Sequence, residues 1–197
     1  MSTTDAMPYP VQLTIDYPDR PLDRVSTALR AFTALPILVV LCLVEWGSAG
    51  VLTVPLALML LFRRRYPRWW FEWQLQLSRF ETRVVAYVLL LDDRYPSTED
   101  EQGVHLEIDE PDAERDLNRW LPLVKWLLVV PHLVVMAVLL VGVVFATIAA
   151  WFAILFTGRY PRRLFDYVVG VLRWGSRVQA YAFLLVTDRY PPFRLAP

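Results

Sequence analysis

One cysteine, Cys42, one lysine, Lys125, and two histidines, His105 and His132, are all that 197 residues provide of those types. A lone cysteine allows no intrachain disulfide and no cysteine metal site, and in an apolar run a thiol behaves as a small hydrophobe. Two histidines, one on an alternating segment and one in an apolar run, make a poor bis-histidine haem site, and no His/Cys/carboxylate cluster has metal-ligand spacing. P-loop, Rossmann glycine, GxSxG and HExxH patterns are missing. No cofactor or metal is therefore expected, and no catalytic residue can be named. The net charge of zero offers no overall basicity of the kind that draws nucleic acid. MSTTDAMPYP at the start has neither a charged n-region nor an apolar h-region, so no secretory signal is expected ahead of the first apolar segment.

What the chain does have is apolar surface. Hydrophobic residues make up 56% of it, against about 45–50% in soluble domains. The charges are segregated: Ala31–Phe62 and Trp126–Gly158 hold no cation, and only Glu45 among acids. That distribution is expected where lipid is the solvent. Except for Lys125 the cations are all arginine, whose planar fork suits phosphate and carboxylate; codon bias is the alternative cause.

The same plan occurs twice. Residues 11–97 read as strand, apolar hairpin (26–62) and amphipathic helix (67–91); residues 104–192 repeat it with a hairpin over 120–157 and a helix over 161–186. Residues 1–10 and 193–197 are tails, and 98–103 a linker. Val11–Tyr17 and Val104–Ile108 alternate apolar and polar residues, the period of a half-buried strand. Five residues alone are not a stable strand, so either the two copies pair or each strand is buried by helices. Asp23, and Asp112 or Asp116, fall near helix starts, where carboxylates suit the dipole.

The first apolar unit runs from Ser26 to Trp46, breaks at residues 47–50 and returns as Val51–Phe62. In the second, Trp120–Val141 is expected to turn near Gly142 and return as Val143–Thr157. The first legs approach the roughly 20 residues a span needs. The returns are shorter, so a full crossing with snorkelling arginines and a re-entrant hairpin both stay open. Arginines flank both ends of each hairpin and neither turn, which places the N-terminus, the linker and the C-terminus on the cytoplasmic side of an inner (plasma) membrane.

After each hairpin, Tyr66-Pro67 and Tyr160-Pro161 open a helix, proline being tolerated in the first turn. Tyr66, Tyr160, Trp69, Trp70 and Trp73 are candidate interfacial anchors. Glu72, Arg79 and Arg83 form a polar stripe that Asp166, Arg173 and Arg177 repeat. Seven positions separate Glu72 from Arg79, too far for pairing within a helix. Either the carboxylate of one copy meets the arginines of the other, or the stripe clamps an anionic lipid headgroup or an acidic partner segment. The second helix is greasier and is expected to be more enclosed.

Lys125 and His132 are ionisable residues in an apolar leg and hence functional candidates by default. Ile37 replaces His132 in the first copy, which favours a neutral, hydrogen-bonded histidine. The Asp-Arg-Tyr-Pro segments at Asp93–Pro96 and Asp188–Pro191 read as helix stops.

PHLVV, LFTGRYPRRLFDYVVGVLRWGSRVQAY and DRYPPF in the second copy resemble the bacterial membrane family known as domain of unknown function 4389. The first copy is a diverged version, with RRRYPRWW for FTGRYPRR. The resemblance covers nearly the whole chain and implies an integral bacterial membrane protein, with no catalytic residues to carry over. The expected fold class is a mainly α membrane protein made of a tandem duplicated unit. The leading functional expectation is a non-enzymatic scaffold or accessory subunit contacting anionic headgroups and a protein partner, or a second copy of itself, at the cytoplasmic face. A transporter component and a lipid-modifying enzyme follow in that order.

Overall fold

The structure, a computed structural model, describes residues 9–48, 53–98, 100 and 102–196. It is mainly helical. The order is β1 (Val11–Ile15), α1 (Arg24–Ser48), α2 (Thr53–Arg63), α3 (Arg68–Val88), β2 (Val104–Ile108), α4 (Leu121–Leu128), α5 (Val130–Thr157) and α6 (Arg162–Ala182).

The two strands pair with each other, antiparallel, with Leu13 opposite Leu106 at the centre. Asp16 N–H donates to Gly103 O and Asp109 N–H to Pro10 O, both at 2.8–2.9 Å. Those bonds fix which pairs exchange hydrogen bonds, and Leu13 and Leu106 are not among them. Their carbonyls therefore point outward, one from each free edge of the ribbon. Val11, Leu13, Ile15, Val104 and Leu106 face the core, while Gln12, Thr14, His105 and Glu107 face out. A two-stranded ribbon is marginal alone; here a helix lies against each strand.

Those helices are exchanged between the copies. The first copy's α3 packs on β2 of the second copy, and α6 of the second packs on β1 of the first; neither touches the strand of its own copy. The main core joins the strands to Phe71, Phe165, Val168 and the inner stripe Val143, Ala146, Ala150 and Ile154 of α5.

Of the break expected at residues 47–50, Gly47 and Ser48 still belong to α1, and residues 49–50 lie outside the described residues. The first hairpin's two legs do not pack on each other among the described residues; α2 instead meets α4 of the other copy. In the second copy the turn expected at Gly142 does not exist, because α5 runs unbroken through it. A helical glycine costs only about 1 kcal/mol, and here its bareness is used: the Tyr167 hydroxyl donates to Leu139 O at 2.9 Å and occupies the space a Cβ on Gly142 would need. The break falls instead at Val129, just before Pro131, whose ring clashes with a carbonyl one turn earlier. Pro36, in the equivalent place, lies inside an unbroken α1.

Arg24–Val44 and the Leu121–Thr157 run are each long and apolar enough to cross a membrane, and only 22% and 17% of their most apolar windows are buried. Val39, Leu43, Val138, Val141, Phe145 and Phe152 are among the large side chains they leave exposed.

Both long helices after these segments end in a left-handed leucine, Leu90 (φ 65°) and Leu185 (φ 54°). After α3 this closes a Schellman turn, with Leu91 N–H to Ala86 O at 2.9 Å and Leu90 N–H to Tyr87 O at 3.2 Å. The conformation costs roughly 1–2 kcal/mol for a side chain other than glycine. Burying a leucine contributes roughly 1.5–3 kcal/mol, and both leucines are 3% exposed or less. The turn directs the chain into the two Asp-Arg-Tyr-Pro segments.

Candidate functional site

The polar stripe comes together around the sheet. Arg79 Nε donates to Leu106 O at 3.0 Å, and Arg173 Nε to Leu13 O at 3.0 Å. Each guanidinium thus satisfies the outward carbonyl at the middle of the other copy's strand. One turn on, Arg83 donates to Ser97 O at 2.6 Å, and Arg177 to Arg194 O and Ala196 O at 3.3 and 2.9 Å. Burial lowers the pKa of Arg173 and of Arg177, the latter with help from neighbouring Arg194 and Arg173. A guanidinium remains charged regardless.

The carboxylates of the stripe do not join these arginines. Glu72 pairs with Arg68 at 2.9 Å, and Asp166 with Arg162 at 3.2 Å. Both are exposed pairs one helical turn apart, so the cross-copy pairing of Glu72 with the opposite arginines is corrected: strand carbonyls took the guanidinium groups. The link between α3 and α6 is a different one. Gln179 donates to Glu81 Oε2 at 2.9 Å, and burial raises the Glu81 pKa, only partly opposed by that bond.

The anchor candidates divide. Trp69 and Trp73 are exposed, at 65% and 42%. Trp70 is 8% and Tyr160 2% exposed, so neither reaches a membrane, and their reading as interfacial anchors is corrected. Tyr160 is edge-on to Phe165 under β1, and Trp70 packs with Leu56, Leu60 and Leu185. Tyr66 is half-buried, its hydroxyl 2.8 Å from Leu184 O. As expected from composition, α6 is the more enclosed helix, with Val168, Trp174 and Arg177 all inside.

Lys125 is fully buried. Its Nζ lies 2.8 Å from Asp188 Oδ1 and donates to Thr187 O at 2.7 Å, with the Tyr181 ring 4.8 Å away. The first copy does the same with Arg30. That guanidinium donates to Tyr87 O and Asp92 O at 3.1 and 2.9 Å and sits 3.9 Å over the Tyr87 ring. The aspartate of each Asp-Arg-Tyr-Pro segment turns back to the helix entry: Asp188 accepts from Asn118 N–H, and Asp93 pairs with Arg20 at 2.7 Å. The segments are thus latches tying the end of each long helix to the start of its own copy's apolar leg. Arg30 belongs beside Lys125, and the signal was available: each stands six residues before the proline of its leg.

His132 is buried without a hydrogen-bond partner on either ring nitrogen among the described residues. The expected hydrogen-bonded histidine is corrected to one held by stacking. Phe193 lies parallel at 4.1 Å between centroids, with Tyr190 at 4.7 Å and Trp174 at 5.6 Å. Among the described residues no three metal-ligating side chains come together.

Two pairs of clefts flank the sheet, each pair related by the internal repeat. One pair lies beside the latches, against Asp92–Arg94 and against Thr187–Arg189. The other lies where α2 and α5 end: Arg63–Pro67 face Pro111–Glu114, and Arg159-Tyr160 face Tyr17–Leu22.

The family profile described as "Domain of unknown function (DUF4389)" matches residues 24–98 and again residues 120–194. The chain belongs to the DUF4389 family. Each match begins at the start of an apolar leg and ends just past a latch, so the repeated family unit includes Arg30 or Lys125 together with its Asp-Arg-Tyr-Pro segment. Both strands lie outside the matches. No curated protein matches the chain, and no solved structure does.

Proposed function

We propose that this DUF4389 protein is a multi-pass membrane protein that acts without catalysis of its own, as a scaffold or accessory subunit. It holds lipid headgroups and a protein partner, or a second copy of itself, at the face where its arginines cluster. The observation that carries the reading is the exposure of α1, α4 and α5. Their outer faces are almost wholly Val, Leu, Ile and Phe, far beyond the few hundred Å² that soluble monomers leave bare. With α1 and α2 as two legs, the first copy brings Arg24 and Arg63–Arg65 to one headgroup layer, on the cytoplasmic side of a bacterial inner membrane by the positive-inside rule. Transport draws less support, since Lys125, the cation a path would use, is closed off by Asp188 and Thr187.

Cys42 is exposed on α1 and supplies the test. In inner-membrane vesicles it should resist a membrane-impermeant maleimide and react after denaturation. Full labelling of the native vesicles from the aqueous side sinks the membrane reading. Affinity purification in mild detergent should retain a partner protein or a second copy; recovery of the chain alone as a monomer removes the scaffold role.

A further inference from the structure

The clefts at the ends of α2 and α5 should be alike, and they are not. At the end of α5 the chain reads Thr157-Gly158-Arg159, and Gly158 takes the left-handed helix cap (φ 74°). At the equivalent place after α2 it reads Arg63-Arg64-Arg65, and Arg64 is held in that conformation (φ 49°). Glycine adopts this backbone freely; arginine does not. A strained arginine where the sister copy has the relaxed residue points to a use for its side chain. The three consecutive arginines are exposed, and among the described residues no guanidinium of theirs has a hydrogen bond or ion pair. Arg79, Arg83, Arg173 and Arg177, by contrast, are taken up by main-chain carbonyls.

The cavity they line measures about 500 Å³, against about 280 Å³ for its sister. Its opposite wall carries Asp112 and Glu114. Asp112 is occupied, accepting from the Glu114 and Arg115 N–H groups, whereas the Glu114 carboxylate has no partner among the described residues. In the sister cleft Arg20 is spent on Asp93. The large cleft also sits where apolar surface meets charge: Phe62, immediately before Arg63, is 79% exposed.

A cationic wall facing a free carboxylate at that boundary matches a zwitterion bearing a phosphate and an ammonium. The geometry points to a binding site for an aminophospholipid headgroup, with its phosphate diester on Arg63, Arg64 and Arg65 and its ammonium on Glu114. Arginine presents a donor fork to phosphate oxygens, and a primary ammonium gives a carboxylate three N–H donors. This site rests on the membrane reading above and names the headgroup that reading leaves open.

The test uses the full chain in detergent, with native mass spectrometry counting bound dihexanoyl phosphatidylethanolamine, phosphatidylglycerol and phosphatidylcholine. Soluble phosphoethanolamine is titrated in parallel. Wild type should bind one phosphatidylethanolamine in preference to the other two lipids. Arg64→Gly, which adopts the sister copy's relaxed residue and so keeps the fold, should weaken that binding at least tenfold. Glu114→Gln should weaken phosphatidylethanolamine and leave phosphatidylglycerol unchanged. Equal binding of the choline or glycerol lipid, or no effect of either substitution, overturns the site. Binding of phosphoethanolamine as tight as that of the lipid overturns the lipid as its source. Flotation of wild type with liposomes separates the two failures: a protein that floats but shows no headgroup preference loses only this site, and one that does not float loses the membrane reading.

Discussion

Arg173 on α6 donates its Nε to the carbonyl of Leu13 at 3.0 Å, and so closes the free edge of a strand that belongs to the other half of the chain. Arg79 does the same for Leu106 at 3.0 Å. An uncapped edge carbonyl inside the protein is costly, and a hydrogen bond from a charged donor contributes about 1.5–3 kcal/mol. Arg173→Ala and Arg79→Ala should each lower stability by about that amount in thermal melts of the detergent-solubilised protein. Arg68→Ala, which removes only exposed pairs with Glu72 and Glu110, should leave the midpoint where it is. An unchanged midpoint for Arg173→Ala contradicts the edge-capping role.

Arg64→Gly should stabilise the fold by about 1 kcal/mol, because a left-handed backbone at a residue with a Cβ costs that much or more. The expected readout is a higher melting midpoint in lipid-free detergent. Stability and headgroup binding then move in opposite directions for a single substitution.

Gly142→Ala should destabilise α5 even though alanine is the better helix former by about 1 kcal/mol. The added methyl meets the Tyr167 hydroxyl, and overpacking typically costs about 1–3 kcal/mol. Combining it with Tyr167→Phe removes the hydroxyl, the atom that comes closest to the new methyl, so the double variant should be more stable than Gly142→Ala alone. A turn at Gly142 predicts no such rescue.

Removing one member of a buried ion pair leaves a charge uncompensated, at a cost of about 3–5 kcal/mol. Lys125→Met should lose stability on that scale. Lys125→Arg should lose far less, since Arg30 fills the equivalent place in the first copy. Equal losses for the two substitutions argue against the latch.

Alkaline pH probes Tyr160. Burial pushes its hydroxyl from 10.0 up to about 12. The fold therefore favours the protonated phenol, and this contribution is complete below pH 10 and lost as the pH climbs from 10 to about 12. Wild type should lose stability across that window more steeply than Tyr160→Phe, as followed by melting midpoints. Parallel curves for the two proteins mean that Tyr160 is accessible to solvent.

What the sequence made legible were features that repeat locally. Alternation in VQLTI and VHLEI marks the strands, the Tyr-Pro pairs mark the starts of α3 and α6, and the two-copy plan follows from the residues themselves. A glycine in an apolar run reads the same whether it bends the chain or, as Gly142 does, makes room for a residue 25 positions away, Tyr167. The partners of Arg79 and Arg173 were hidden for a related reason. Main-chain carbonyls leave no trace in a sequence, so the stripe reads as seeking the carboxylates Glu72 and Asp166 or an anion from outside the chain. Arg30 reads in the sequence as one of the arginines that precede the first leg, whereas Lys125 stands out as the only lysine.

Because each long helix seals the strand of the other half, neither half has a finished interior by itself. While the ribosome is still making the linker, α3 has no strand to cover, and Phe71 and Ala86 wait bare until Val104–Ile108 emerges. A cut in that linker should therefore leave two fragments that aggregate in detergent when apart and recover their shape only when produced together.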